Sequence, residues 1–177
     1  MKISPLSGEP FYRMHTPRWA VAPTSGAGAA KHGGRFNRPG VPALYLADKP
    51  QTAIAEYKQD LTLMPPGTLV QYELSLSATV FLNEYEHESW DPVWEDWNCE
   101  WRKLALEGTE PPSWLMGDIA IESGAKGILF PSTKERGGLN LVVYTEQLGP
   151  KDLLRAIDPR GDLDVLEIPM FLRRQSD

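Results

Sequence analysis

The sequence predicts an α+β domain, on three observations. Residues 68–76, TLVQYELSL, alternate cleanly, with Val70, Tyr72, Leu74 and Leu76 on one face and Gln71, Glu73 and Ser75 on the other. Short apolar runs at 42–47, 127–131 and 139–145 are bounded by turn residues and read as further strands. The helical stretches between them are interposed irregularly, without the strict strand–helix rhythm of a doubly wound sheet. At 177 residues the chain forms one domain with a real core, residues 1–177 being a single unit.

Taken in order, Phe11 to Met14 reads as a short strand. Thr16 to Gly40 is dominated by glycine, proline and alanine and reads as a long loop, a length that is usually functional or disordered. Pro42 to Ala47 is a buried strand. Asp48 then stands as a helix N-cap, with Pro50 in the first turn and Gln51 at the capping-box position. The helix runs through Glu56 and Tyr57, so Glu56 lies about two turns in. After the strand at 68–76 the character changes. Trp90, Trp94, Trp97 and Trp101 recur at helical spacing among Glu84, Glu86, Glu88, Asp91, Glu95, Asp96 and Glu100. This predicts an amphipathic helix within 84–110 whose tryptophan stripe either packs on the sheet or binds a partner. Ser113 to Gly124 reads as a helix ended by a glycine. Gly127 to Pro131 is a strand running into Ser132, and a charged turn at 133–138 leads to the strand Leu139 to Thr145. Lys151 to Ile157 reads as a short helix, followed by a tail with an edge strand around Val165.

Composition bounds the function. Hydrophobic residues make up 41% and charged residues 24%, and no apolar run approaches the length of a membrane span. The start, MKISPLSGEP, carries no apolar signal core, so a cytoplasmic protein is expected. The single cysteine, Cys99, allows no internal disulfide and no cysteine-based zinc site. The net charge of −6 disfavours binding of nucleic acid polymer. Within 1–40, however, Lys2, Arg13, Arg18, Lys31, Arg35 and Arg38 face the single acid Glu9. A local basic cluster on an acidic body suits a small anion.

The stretch from Gly33 to Tyr57, GGRFNRPGVPALYLADKPQTAIAEY, places Arg35, Tyr45 and Glu56 on a Gly-rich loop, a strand and the next helix. Those side chains suit a phosphate, an aromatic base and a ribose; the alternative is an ordinary loop–strand–helix with surface charges. Gly33 and Gly34 let backbone approach a ligand closely. They lack the lysine and Ser/Thr of a P-loop and the spacing of a Rossmann fingerprint, which disfavours phosphoryl and hydride transfer.

YR at Tyr12–Arg13, GGRFN at Gly33–Asn37, LYLA at Leu44–Ala47, the AxxE ending at Glu56, and GILFPS and GLNLVVY with Ser132 and Asn140 stand in one register. Together they resemble the RES domain family over about residues 10–145. That resemblance implies a fold related to ADP-ribosyltransferases, with mixed or antiparallel sheets around an NAD cleft and peripheral helices. It implies NAD as substrate and no metal. The implied biology is the toxin of a type II toxin–antitoxin pair, covered at its active site by an Xre-type helix-turn-helix antitoxin. Some members transfer ADP-ribose to a protein, for which phosphoribosyl pyrophosphate synthetase is a plausible acceptor by analogy. In the family pattern Arg35, Glu56 and Ser132 are the eponymous residues, with Tyr45, Arg13, Gly34 and Asn140 as further binding candidates.

The chemistry agrees with that pattern. Cleaving the nicotinamide–ribose bond passes through an oxocarbenium-like state. A rigid carboxylate stabilises it, and Glu56 is the candidate. Nicotinamide leaves neutral, so one carboxylate suffices. Arg35 would grip a phosphate with its planar fork, and Arg13 another oxygen or Glu56 itself. Tyr45 would stack on the nicotinamide or ribose face. Ser132 would bond the ribose or position Glu56; no histidine is placed to activate it as a nucleophile. Structural alternatives are that Arg13 pairs with an acid, Tyr45 is core and Ser132 caps a turn. A ribonuclease using His15 and His32, or a non-enzymatic interaction module, are the other classes, and the acidic body makes RNA a poor substrate.

Overall fold

In the computed structural model, which describes residues 1–86 and 88–163, seven strands form one sheet. They are β1 (Ile3–Ser7), β2 (Phe11–His15), β3 (Ala43–Ala47), β4 (Thr68–Phe81), β5 (Gly127–Pro131), β6 (Leu139–Tyr144) and β7 (Leu153–Ala156). The helices are α1 (Ala27–His32), α2 (Pro50–Lys58), α3 (Trp101–Leu106) and α4 (Pro112–Glu122). None is long and apolar enough to cross a membrane.

The long strand β4 organises the sheet. Its first half pairs antiparallel with β2, from Phe11 opposite Tyr72 to His15 opposite Thr68, and with β7 on its other edge. Its second half pairs antiparallel with β1 and parallel with β5. Strands β5, β6 and β3 are joined antiparallel, and β3 returns to β2. The path β4–β2–β3–β6–β5 therefore closes on β4 itself. Its thinnest seam is β2–β3, where only Tyr12 and Ala47 are in register.

Burial follows from the alternation. Val70, Tyr72, Leu74 and Leu76 of β4 are buried, and they pack with Leu129, Leu141 and Val143 in one cluster. Ile128, Phe130, Val142 and Tyr144 point the other way into a second cluster beneath α4. Strands β5 and β6 are thus buried on both faces, which is why they read as unbroken apolar runs.

Several expectations are corrected. The long loop at 16–40 contains α1 and a 3-10 turn at Pro17–Trp19; its glycine and alanine content hid a short helix. The continuous tryptophan helix does not form. Pro92–Asn98 is a 3-10 segment kinked at Asp96, and α3 starts afresh at Trp101. Trp90 and Trp94 are buried at 7% and 1% exposure, against each other and the second cluster, so they offer no partner-binding stripe. Residues 151–157 hold β7, not a helix: LLRA alternates exposed and half-buried along the edge of β4. Lys49, not Asp48, occupies the N-cap of α2, while the Asp48 carboxylate accepts from Thr52 Oγ1 at 2.9 Å. Strand β1 was not anticipated. The strand expected around Val165 lies outside the described residues.

One close approach couples α4 to the turn at Gly34–Asn37. A Cβ on Gly117 of α4 would stand 2.1 Å from the Phe36 carbonyl oxygen. Gly117→Ala is therefore expected to lower unfolding stability in urea by about 1–3 kcal/mol, because backbone has to give way.

Candidate active site

Arg35 sits on a tight turn that the surrounding side chains hold in place. Gly34 N–H donates to the Asn37 carbonyl at 2.9 Å, closing the turn. The Tyr45 hydroxyl accepts from Phe36 N–H at 3.0 Å and donates to Asn37 Oδ1 at 2.8 Å. Tyr144 donates to the Phe36 carbonyl and Trp114 Nε1 to the Gly34 carbonyl. Gly34 has to be glycine, since a Cβ there would lie 2.4 Å from the Tyr45 hydroxyl oxygen. Phe36, fully buried against Phe130, anchors the turn in the core. Burial raises the Tyr45 phenol well above its ordinary pKa, and the hydrogen bond from Phe36 N–H and the charge of Arg35 offset part of that rise.

The guanidinium of Arg35 is held by neutral groups. Nη1 donates to the carbonyls of Trp97 at 3.0 Å and Cys99 at 3.1 Å, and Cζ stands 5.8 Å from the Trp97 ring centroid. Burial lowers its pKa, and Cys99, Tyr45 and Glu56 act in the opposite sense. Carbonyl acceptors orient the fork without cancelling its charge. The acid- and tryptophan-rich segment therefore forms a wall of the site.

Glu56 lies on the seventh position of α2. That helix is pressed onto the β5–β6 connection, where a Cβ on Gly138 would meet Thr52 Oγ1 at 2.6 Å. The carboxylate oxygen Oε1 accepts from Ser132 Oγ at 2.7 Å and from Asn140 Nδ2. Ser132 Oγ in turn accepts from the backbone N–H groups of Lys134 and Glu135 at 3.1 and 3.0 Å. Its single proton thus points at Glu56. Ser132 both caps a turn and positions the glutamate. Among the described residues Oε2 of Glu56 has no hydrogen-bond partner.

Arg13 crosses the thin β2–β3 seam. Its Nη1 donates to the Tyr45 carbonyl at 2.8 Å, and its buried Nε has no partner among the described residues. Burial lowers its pKa. Arg13, Gly34, Arg35, Tyr45, Glu56 and Asn140 all line one cavity of about 650 Å³, a volume ordinary for a small-molecule site. Ser132 stands behind Glu56 and acts through it.

The model of the RES domain family matches residues 10–165. The chain belongs to the RES domain family. This RES chain is similar to the protein named Toxin Res of Yersinia enterocolitica (serotype O:8, biotype 1B), with 26% identity over 155 residues, 84% of this chain and 92% of that one. In structure it is similar to a chain of the M. tuberculosis MbcT–MbcA toxin–antitoxin complex, with a TM-score of 0.54 and 22% identity, covering 85% of this chain and 83% of that chain. That likeness carries the α+β fold.

The RES motifs thus converge on one cavity. Among the lining residues that the sequence did not single out for the site are Tyr57, Trp101, Arg102 and Lys134. Their signal was weak, since none of them is a motif residue of the family pattern. Tyr45 lines the cavity, but its hydroxyl is engaged below the Arg35 turn. Of the two histidines a ribonuclease would need, His15 is buried at 6% exposure with Nε2 against the Tyr72 hydroxyl. Tyr72 donates its own proton to the Pro23 carbonyl at 2.8 Å, so His15 Nε2 carries the hydrogen and donates. His15 is closed to solvent chemistry.

Burial first, and then Arg13, push the His15 pKa down from 6.5 to about 4. The unfolded chain takes up this proton first, so the contribution is complete above pH 6.5 and is lost as pH falls toward 4. Urea unfolding is expected to show about 2 kcal/mol lost from this group between pH 7 and pH 5. His15→Gln, which keeps a donor to Tyr72, should remove that part of the pH dependence.

Proposed function

We propose that this RES protein is the toxin of a toxin–antitoxin pair and that it consumes NAD by breaking the nicotinamide–ribose bond. The toxin reading is supported by the family and by the names of its relatives, Toxin Res and a toxin–antitoxin complex. The chemical reading rests on one observation: Glu56, with one oxygen held and the other open, shares a cavity with an uncancelled Arg35.

As the C1′–nitrogen bond breaks, its electron pair leaves with nicotinamide and positive charge grows on the ribose. Oε2 of Glu56 accepts a hydrogen bond from a ribose hydroxyl and stabilises that cation. Ser132 and Asn140 hold the carboxylate in place through Oε1, so little reorganisation is needed as charge develops. Both donors are neutral, so the negative charge survives. Arg35 grips a phosphate of the dinucleotide, and Arg13 braces the Tyr45 strand through its bond to the Tyr45 carbonyl. An oxygen nucleophile then takes C1′. Water or inorganic phosphate makes the protein a glycohydrolase or a phosphorylase, and a protein acceptor would make it an ADP-ribosyltransferase. Two of the tryptophans that such a target surface called for, Trp90 and Trp94, are buried, which favours a small acceptor.

The antitoxin partner in this reading is an Xre-type helix-turn-helix protein that covers the cavity. Its covering segment would carry carboxylates, because the cavity wall presents cations.

The test incubates purified protein with NAD and measures nicotinamide release, with and without phosphate. Release is expected, with Glu56→Ala lowering turnover about 10²–10³-fold. Ser132→Ala should reduce kcat by a smaller factor, about tenfold, with KM little changed, since it acts by positioning. Intact NAD after prolonged incubation, or full turnover by Glu56→Ala, would overturn the reading.

A further inference from the structure

The cavity holds more positive charge than Arg35 and Arg13 supply. Four cations line it, Arg13, Arg35, Arg102 and Lys134, against two carboxylates, Glu56 and Glu100. Lys134 is paired with Asp60 at 2.9 Å. The three arginines are not paired with any acid among the described residues; Arg13 and Arg35 bond only backbone carbonyls. Away from the cavity Arg38 pairs with Asp118 and Glu110, Arg155 with Glu73 and Arg160 with Asp162, while Arg18 stacks on Trp19. Arginines collected without carboxylate partners around one space call for an anion from outside.

Arg102 is the unexplained member. Its Cζ stands 4.6 Å from the ring centroid of Trp101, which also lines the cavity. Stacking fixes the plane of a guanidinium while leaving its N–H edge free, and no hydrogen bond of Arg102 occurs among the described residues. The arrangement repeats that of Arg35 over Trp97, so two indoles of the acid-rich segment each seat one guanidinium. The two cations are near enough that Arg102 helps to lower the Arg35 pKa. Two like charges lining one cavity match two linked phosphates better than one.

We propose that Arg102, seated on Trp101, is the second phosphate ligand of the cavity, and that with Arg35 it selects a pyrophosphate-linked dinucleotide over a mononucleotide. This rests on the nucleotide reading of the site and adds its specificity. Trp97 and Trp101 are then positioning residues, which accounts for tryptophans in a segment that forms no continuous helix.

The test compares NAD with nicotinamide mononucleotide, which carries the same scissile bond and one phosphate. Wild-type protein is expected to prefer NAD in kcat/KM. Arg102→Ala should raise KM for NAD about tenfold, with kcat within about twofold, and have much less effect on the mononucleotide. Arg102→Lys should restore part of the preference. Lys103→Ala, on the exposed neighbour, should leave it intact. Equal losses on both substrates would mean a structural role and overturn the inference, as would an unchanged NAD preference. Calorimetric binding of ADP-ribose and AMP decides the same point without turnover. If wild type leaves NAD intact yet binds ADP-ribose more tightly than AMP only while Arg102 is present, the cleavage reading fails and this inference stands. If NAD is cleaved but ADP-ribose and AMP bind alike in both proteins, the reverse holds.

Discussion

The hydrogen bonds from Ser132 and Asn140 to one oxygen of Glu56 are the constraint around which this site is arranged. They join α2 to the end of β5 and the start of β6, three elements that meet only in the folded chain. A glutamate side chain loses considerable rotamer freedom when fixed, and two donors on Oε1 offset that cost during folding rather than during reaction. Because a hydroxyl and an amide are neutral, the carboxylate keeps its charge, and because both use Oε1, the second oxygen stays open. A lysine or arginine in either place would have fixed the side chain and cancelled its charge.

The same logic recurs at the arginines. Arg13 and Arg35 are oriented by backbone carbonyls, which supply direction without a full opposing charge. Those carbonyls come from β3 and from the 3-10 segment at 92–98 and its cap at Cys99. The closed strand path explains where the cavity opens. Strand β2 meets β3 at a single register pair, and Arg13 bridges the gap with its own hydrogen bond to Tyr45. A tighter seam would leave no room for a ligand between Tyr12, Ala47 and α2.

Much of this was legible in the sequence, for definite reasons. Alternation revealed the first half of β4, and apolar runs revealed β3, β5 and β6, because burial on one or both faces writes directly into residue type. The start signals around Pro50 located α2 and hence Glu56. Strand β1 carries Pro5 and half-exposed residues at an edge, so it left no pattern. Strand β7 was mistaken for a helix because LLRA inside KDLLRAI fits both periods at that length. The tryptophans kept helical spacing only in sequence. Pro92 opens a 3-10 segment, and the indoles turn inward separately. The anchoring of Arg35 was illegible, since backbone carbonyls carry no residue signature. Arg102 carries no motif of its own, and only its indole seat and its place on the cavity together mark it.

The central claim is that a negative charge at Glu56, not merely a polar group of that shape, carries the reaction. Glu56→Gln keeps an Oε1 able to accept from Ser132 and Asn140 and replaces the open oxygen with a neutral donor. The decisive measurement is nicotinamide release from NAD by this variant, with its fold checked by circular dichroism. The account predicts release at or near background. Release at the wild-type rate from a correctly folded Glu56→Gln protein would contradict it.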